Sequence, residues 1–315
     1  MGSQHATLRE FLLLRQAVIK CLKDDQIHGV LITHGTDTME EAIYFLYATL
    51  PPAHQTKPIL FTGAMHASDH PEADGPQNLL GSAQILSSIA TRGFASAVAD
   101  SKGAGNSGRL QNLMALCMAR KLIFPPRVSK SHTQSVNAFA SSYQIELPEN
   151  DCSGALELLD VALASADHLA GAFSGLKIFE DKVSIDQCVD ALQAVQVELL
   201  FCRPDTVSIN KKVQEWVRTS VGVVVVATYG NGNIPVHWVE DLKWLMTKGV
   251  RVVRASRVGA GGVSNQTEPT ELDWYETTMG KNGLPIYEKA PDPLSLPQLL
   301  LHERLKYFQA NEGSS

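Results

Sequence analysis

A cluster of small polar side chains follows an apolar run in the stretch LITHGTDTMEEAIYFL, which covers residues 31–46. The hydroxyl of Thr36 can donate a hydrogen bond, accept one or attack, and the carboxylate of Asp37 can hold an ammonium group. A threonine hydroxyl is a weak nucleophile on its own, so chemistry at this turn requires a base nearby. These residue types are suited to binding and attacking a small molecule that carries an ammonium group.

The elements around this turn are typical of a parallel α/β sheet. Residues 29–33 are predicted to form a buried strand, and residues 39–50 to form a helix that ends before two prolines. Ligands of open parallel sheets bind at the carboxyl ends of the strands. The following helix offers unpaired N–H groups and the positive end of its dipole, which suit a carboxylate or a developing oxyanion. The sequence therefore predicts a ligand site at residues 33–38.

Helix capping is an alternative explanation for some of the same residues. Thr38 followed by Glu41 matches a capping box, and Asp37 followed by Glu40 matches a second one. Capping explains one or two polar residues, but it does not require the polar residues 34–36 before them. From local chemistry alone, both explanations stay open. We expect that Thr38 and Glu41 cap the helix, whereas the residues before them face a ligand.

Composition and charge exclude several classes of protein. The chain has 315 residues, of which 44% are hydrophobic and 19% charged, as in a globular protein whose length favours two domains. The net charge is -6 and the 27 basic residues are scattered, which argues against a nucleic-acid partner. No apolar run approaches the roughly 18–20 residues that span a bilayer. The N-terminus also lacks the pattern of a secretory signal.

Cysteine and histidine spacing gives no sign of a metal site or a disulfide framework. The five cysteines are an odd number and lack CxxC spacing. The ten histidines form no HExxH or comparable ligand pattern. We therefore expect no bound metal.

Strands and helices alternate along much of the chain. The predicted helices cover residues 9–25, 39–50, 78–91, 209–218, 239–248 and 299–308, and the predicted strands cover residues 29–33, 58–61, 94–99, 195–201, 250–255 and a part of 221–233. Strands that are apolar throughout, with helices between them, indicate a parallel sheet covered on both faces. Residues 140–190 are mixed, so the domain boundary is predicted there.

Five stretches of the sequence resemble the bacterial-type L-asparaginase family, also called the asparaginase/glutaminase family. They keep the family's order over residues 2–268. In chain order they are ITHGTDTMEEAIYFL, FTGAMHASDHPEADGPQNL, SKSHTQSVNAF, GNGN and VVRASRV. The resemblance implies an α/β fold with two domains. The larger N-terminal domain has a doubly wound, mostly parallel sheet at residues 1–160, and a linker at residues 161–190 leads to a smaller three-layer α/β domain at residues 191–315.

The resemblance also implies an amidohydrolase that converts L-asparagine to L-aspartate and ammonia through threonine-based acyl-enzyme chemistry. Thr36 matches the second of two catalytic threonines in the family, with Asp37 beside it and Lys130 as its base. A lysine in a desolvated polar cluster can lose its proton and activate a hydroxyl or water. Taken alone, a lysine such as Lys130 is more often a solvated surface residue. The chemistry needs no cofactor, and L-glutamine is the other candidate substrate.

Substrate contacts follow from the same resemblance. Ser3 and Gln4 match the serine and glutamine that bind the α-carboxylate and the amino group, although the first three residues are alternatively explained as a cloning remnant. Ala64 offers its backbone carbonyl to the side-chain amide of the substrate. The predicted substrate-binding residues are Ser3, Gln4, Gly35, Thr36, Asp37, Ala64 and Asn233.

Two predicted site residues belong to the C-terminal part of the chain. Asn233 matches an asparagine that holds the substrate's amino group, and Glu268 matches the glutamate of the family's first triad. In the family both reach the active site of a neighbouring subunit, so the resemblance implies a homo-oligomer, a tetramer of close dimers. Taken alone, Glu268 is a surface charge.

The sequence also departs from the family pattern. No TGGTIA stretch, which carries the family's primary nucleophile, occurs in it, so we expect a truncated chain with impaired turnover. His66 stands where the family has arginine, and residues 108–130 and 269–315 diverge. A non-catalytic amino-acid-binding protein and a degraded chain without function are the alternatives. The expected localisation is cytoplasmic for the chain as it stands and periplasmic if a signal peptide precedes it.

Overall fold

The computed structural model describes residues 2–51, 57–92, 113–141, 144–147, 170–258, 263, 287–289 and 294–312. The chain divides into two compact units, Met1–Gly175 and Leu176–Ser315. The predicted domain limits at residues 160 and 191 stay predictions. The strand predicted at residues 94–99 lies outside the described residues.

The first unit contains three helices and seven strands in the described part of the chain, together with a single 3-10 turn at Ser3–His5. The helices are α1 (Leu8–Lys23), α2 (Met39–Thr49) and α3 (Gly75–Arg92). The strands are β1 (Val30–Thr33), β2 (Ile59–Thr62), β3 (Met114–Met118), β4 (Lys121–Ile123), β5 (Ser129–Lys130), β6 (Phe139–Ala140) and β7 (Gln144–Glu146).

The main sheet of the first unit has the strand order β1-β2-β3-β4-β7. The pairs β1–β2 and β2–β3 are parallel, whereas β3–β4 and β4–β7 are antiparallel. Helix α3 contacts the three parallel strands, and its Ile85 and Ile89 pack in a buried cluster with Leu60, Ala115 and Cys117. Burying this apolar surface is the main force that holds helix and sheet together.

The register of β1 and β2 positions the predicted ligand site. Thr33 pairs with Thr62, so both strands end at the same level. The His34 N–H donates to the Thr62 carbonyl at 2.9 Å and extends the pairing by one residue. The turn after β1 and the loop after β2 therefore leave the sheet side by side, at its carboxyl edge.

Helix α2 is buried along almost its whole length. Ten of its eleven residues are buried, and the exception is Glu41. The ring of Phe45 packs against Phe11 of α1 with 5.9 Å between ring centroids, and Arg15 of α1 donates to the Thr49 carbonyl. A helix that is apolar all round belongs in a protein interior, and α2 places the turn at its N-terminus against that interior.

The second unit is a three-layer α/β structure. Its helices are α4 (Ile185–Gln193), α5 (Asn210–Arg218), α6 (Val239–Thr247) and α7 (Leu296–Asn311), and its strands are β8 (Val197–Phe201), β9 (Val223–Thr228), β10 (Arg251–Ser256) and β11 (Tyr287–Lys289). All strand pairs in the order β11-β10-β9-β8 are parallel. One sheet face packs on Trp216, Trp238 and Leu242. The opposite face packs on Leu299 of α7.

The predicted α/β class is confirmed, with a parallel-rich sheet in the first unit and a parallel sheet in the second. The predicted elements that fall within the described residues lie close to their observed positions, whereas β3 to β7, α4 and β11 had not been predicted. The last helix begins three residues earlier than predicted because Ser295 and Gln298 form a capping box around Pro297. None of the helices that the structure describes is both long enough and apolar enough to cross a lipid bilayer.

Candidate active site

Three residues that were predicted to be catalytic lie in direct contact. The Lys130 Nζ is 3.0 Å from the Thr36 Oγ1 and 3.0 Å from the Asp37 Oδ1. The Lys130 side chain is 21% exposed and that of Asp37 is 54% exposed, so the contact lies at the surface and is open to a ligand. Lys130 is therefore not a solvated surface lysine, and its role as the base of Thr36 stays a prediction.

The backbone of Lys130 is fixed from two sides. Its strand β5 pairs with β6, with Lys130 opposite Phe139. Its N–H donates to the Glu40 Oε2 at 2.7 Å, and Glu40 lies in the first turn of α2, only 8% exposed. A buried carboxylate that accepts a backbone N–H makes a strong, charge-assisted hydrogen bond. The lysine is thus attached to the same helix start that carries Thr36 and Asp37.

Ser3 lies against the same turn. Its Oγ accepts a hydrogen bond from the Asp37 N–H at 3.2 Å, and its carbonyl accepts one from the Thr38 Oγ1 at 2.9 Å. A Cβ at Gly35 would lie 2.5 Å from the Ser3 Oγ, so the close approach requires glycine. Gln4, in contrast, is exposed, and its amide nitrogen lies 3.4 Å from the His5 ring.

The predicted capping box at the start of α2 is wrong. Thr38 occupies the N-cap position, but its side chain makes no capping hydrogen bond. Its hydroxyl donates to the Ser3 carbonyl. Glu40, the partner in the second candidate box, accepts the Lys130 N–H. The side chains of Thr38 and Glu40 thus make tertiary contacts, which local sequence patterns do not reveal.

The loop after β2 carries Ala64 beside the turn. A Cβ at Gly63 would lie 2.5 Å from the His34 carbonyl oxygen, so the two segments touch through their backbones. The loop is clamped by Asp74, whose carboxylate accepts from the N–H groups of Met65 at 3.0 Å and His66 at 2.9 Å. Burial raises the pKa of Asp74, but these hydrogen bonds outweigh it and lower the pKa below its usual value.

Asn78 completes the support of this loop. Its Nδ2 donates to the Gly63 carbonyl at 2.9 Å and to the Asp74 carboxylate at 3.0 Å, and its Oδ1 accepts the Ala119 N–H at 2.9 Å. Because Asn78 is buried in the first turns of α3, the backbone around Ala64 is held to the sheet and to the helix together.

Glu41 is an acidic residue of this region, and the sequence had predicted for it only a role in capping α2. Its burial raises its pKa from 4.5 to about 7, with a further contribution from the charge of Glu40. Its Oε2 is buried and has no hydrogen-bond partner among the residues that the structure describes. A neutral carboxyl group is the form that suits such a position.

Two predicted site residues, Asn233 and Glu268, do not belong to the first unit. Asn233 belongs to the second unit, where its backbone pairs with Tyr229 in a tight turn after β9. Its Oδ1 is buried without a hydrogen-bond partner in the described part of the chain. Glu268 lies outside the described residues. The contacts among Ser3, Thr36 and Lys130 involve the first unit alone.

The structure contains one group of possible metal ligands that was not predicted from the sequence. His66, His70 and Glu72 lie in the loop after β2, and each offers one ligand atom within 4.8 Å of the others. Their spacing is not that of a helical metal motif, so a search for such motifs misses them. Only the fold of the loop brings the three side chains together.

Comparisons with known proteins identify two family matches. The profile described as "Asparaginase, N-terminal" matches residues 1–153, and that described as "Glutaminase/Asparaginase C-terminal domain" matches residues 197–283. A glutaminase-asparaginase from Pseudomonas aeruginosa is 27% identical over 277 residues, which are 87% of this chain and 66% of that protein. A glutaminase-asparaginase from Acinetobacter glutaminasificans is 29% identical over 273 residues, which are 85% of this chain and 70% of that protein.

Similarity to a solved structure supports the same fold. The crystal structure of a probable cytoplasmic L-asparaginase from Campylobacter jejuni superposes with a TM-score of 0.63 at 21% identity, covering 98% of this chain and 86% of that one. The matched regions of the two curated relatives amount to about two thirds of their own length.

Proposed function

Because the chain belongs to the asparaginase family, we propose that it is an amidohydrolase that converts L-asparagine and water to L-aspartate and ammonia. L-Glutamine is the second candidate substrate, since both curated relatives are named glutaminase-asparaginases. The observation that carries the proposal is the contact of the Lys130 Nζ with the Thr36 Oγ1 and the Asp37 carboxylate. An amine in contact with both a hydroxyl and a carboxylate suits attack on an amide carbonyl.

Lys130 acts as the general base in this proposal. In its protonated form the ammonium group donates to both Thr36 and Asp37. Once deprotonated, the amine accepts the Thr36 hydroxyl proton, while one of its own hydrogens keeps the contact with Asp37. The Thr36 oxygen attacks the amide carbonyl, and the proton passes from Lys130 to the departing amide nitrogen, which leaves as ammonia. Water then gives a proton to Lys130 and attacks the Thr36 ester, so that L-aspartate leaves and the Thr36 oxygen regains its proton. General base catalysis of this kind requires hydrogen-bond contact with the proton to be moved, and 3.0 Å satisfies that requirement.

The substrate's charged groups are assigned to the residues around the turn. The half-exposed carboxylate of Asp37 holds the α-ammonium group. The hydroxyl of Ser3 accepts the Asp37 N–H and can donate its own hydrogen to the α-carboxylate. Ala64, on the loop clamped by Asp74, accepts from the side-chain amide through its carbonyl. Gln4 and Asn233 are further contacts in this proposal.

The catalytic contribution of a neighbouring subunit is part of the same proposal. Glu268 and Asn233 reach the site of a second copy, so that the active protein is a homo-oligomer, a tetramer built from close dimers.

Turnover by this chain is proposed to be impaired. The 315 residues contain no TGGTIA stretch, so hydrolysis rests on Thr36 and Lys130 without the first of the family's two threonines. Loss of the nucleophile of a covalent mechanism leaves the contributions of binding and oxyanion stabilisation. The alternative is a protein that binds the amino acid without hydrolysing it.

Ammonia release from L-asparagine by the purified chain tests the proposal. We expect slow release that falls at least about tenfold in Thr36→Val, since valine has the same shape without the hydroxyl. Thr219→Val is the matched control, because Thr219 is exposed at the end of α5 and should leave the rate unchanged. Equal rates in the native chain and Thr36→Val would contradict the role of Thr36. Binding of L-aspartate without ammonia release would favour the binding protein.

A further inference from the structure

We propose that His66, His70 and Glu72 bind a divalent transition cation of the Zn²⁺ or Co²⁺ class. The three side chains lie in the loop after β2, and their ligand atoms are all within 4.8 Å of one another. Two imidazole nitrogens and a carboxylate oxygen form a set that these cations accept, with open coordination positions left for water. The site contains neither Thr36 nor Lys130, and the proposed hydrolysis does not use it.

Hydrogen bonding already sets the ligand form of His66. Its Nδ1 lies 2.9 Å from the Glu72 carbonyl oxygen. A carbonyl only accepts, so the Nδ1 carries a hydrogen, and in the neutral ring the Nε2 then presents its lone pair. Metal-binding histidines commonly donate their second ring nitrogen in this way, which fixes the tautomer and the orientation of the ring.

His70 provides the second nitrogen. Its ring centroid is 4.3 Å from that of His66, so the two rings lie against each other. Its Nδ1 accepts the Glu72 N–H at 3.1 Å and therefore carries a lone pair that points toward the loop. Binding through this nitrogen replaces one solvent-exposed hydrogen bond with a metal bond. The short stretch from His70 to Glu72 brings the carboxylate to the same side.

The loop backbone holds these ligands in place before a cation arrives. The His66 N–H donates to Asp74 at 2.9 Å, the His70 N–H donates to the Ala67 carbonyl at 3.0 Å, and the Ala73 N–H donates to the His70 carbonyl at 3.0 Å. A site on a preorganised loop loses less conformational freedom on binding. The three ligand atoms need to move closer to one another so that each can form a bond of ~2.0–2.2 Å to one zinc ion, and rotations of the exposed side chains allow this.

The charges of the group suit a cation as well. Two neutral imidazoles and one carboxylate carry a single negative charge, and a divalent cation changes this to a net positive charge of one. His66 is half-buried, whereas His70 and Glu72 are exposed, so the cation has an open path from solvent.

Calorimetric titration of the metal-free chain with ZnCl₂ tests the inference, using His70→Gln and Glu72→Gln. The matched control is His28→Gln, since His28 is an exposed histidine before β1. We expect one saturable equivalent in the native chain and the control, with an affinity at least about tenfold lower in each ligand variant. Thermal unfolding without metal checks that the variants are folded. Titration with Co²⁺, followed by absorption spectroscopy, provides a second readout of nitrogen and oxygen ligands.

Two outcomes overturn the inference. One is the absence of saturable binding to the native chain. The other is an unchanged number of sites and affinity in His70→Gln and Glu72→Gln, which would assign the zinc to other histidines or to cysteines. The titration contains no amino acid substrate, so its result is independent of whether the chain hydrolyses L-asparagine.

Discussion

Replacing Lys130 by methionine should lower ammonia release from L-asparagine by about a hundredfold or more. General acid–base catalysis typically contributes about 10²–10⁴-fold to a rate, and Lys130 is the group in contact with the Thr36 hydroxyl, at 3.0 Å. Methionine keeps much of the length and the apolar stem of lysine but cannot take up a proton. The backbone hydrogen bond from residue 130 to Glu40 does not depend on the side chain and should persist.

Steady-state kinetics separate a loss of chemistry from a loss of binding in Lys130→Met. We expect a fall in kcat that exceeds any change in KM, because the amine acts on the proton of Thr36 in the transition state. Lys182→Met is the matched control, since the Lys182 side chain is 80% exposed and pairs with Glu180 at the surface. An unchanged kcat in Lys130→Met would contradict the assignment of Lys130 as the base.

Replacing Glu41 by glutamine should stabilise the protein at neutral and alkaline pH. Burial raises the pKa of Glu41 to about 7 from 4.5, and this difference corresponds to about 3 kcal/mol of unfolding free energy once the group is ionised. Glutamine has the same shape and never ionises. Equilibrium unfolding in urea at several pH values, for the native chain and Glu41→Gln, gives the difference directly.

The sign of the pH dependence follows from the raised pKa. Between pH 4.5 and about 7 the folded chain holds a proton on Glu41 that the unfolded chain has released, so stability falls as pH rises through this range. Below pH 4.5 the two proteins should differ little, and above pH 7 Glu41→Gln should be the more stable by the full amount. Glu240→Gln, at a side chain that is 83% exposed, should show no such difference. A constant difference across the whole pH range would contradict the assignment.

The sequence alone predicted much of the fold because apolar periodicity and turn residues agree in each element. The apolar runs at β1, β2, β9 and β10 and the helix ends at prolines each leave a local signal. The contact of Thr36 with Lys130 has no such signal, since these residues are far apart in the chain. It was predicted because both stretches resemble one family, and the structure brings the two side chains together.

The features that were missed depend on tertiary contacts. The capping box at Thr38 looked complete in the sequence. In the structure the Thr38 hydroxyl donates to the Ser3 carbonyl, and the side chain makes no capping hydrogen bond. The raised pKa of Glu41 arises from partial burial of its own side chain, which no local pattern reveals. The group of His66, His70 and Glu72 likewise forms only when the loop after β2 folds back on itself.

Binding of an α-amino acid at the turn after β1 is required both for hydrolysis and for a protein that binds without hydrolysing. Calorimetric titration with L-aspartate, the proposed product, measures this binding directly. We predict saturable binding to the native chain and to Asp205→Asn, whose side chain is 71% exposed and lies in the second unit. Asp37→Asn should bind L-aspartate at least about tenfold more weakly, because it loses the charge that holds the ammonium group. Equal affinity in Asp37→Asn, or no binding to the native chain, would contradict binding of the amino acid at this turn.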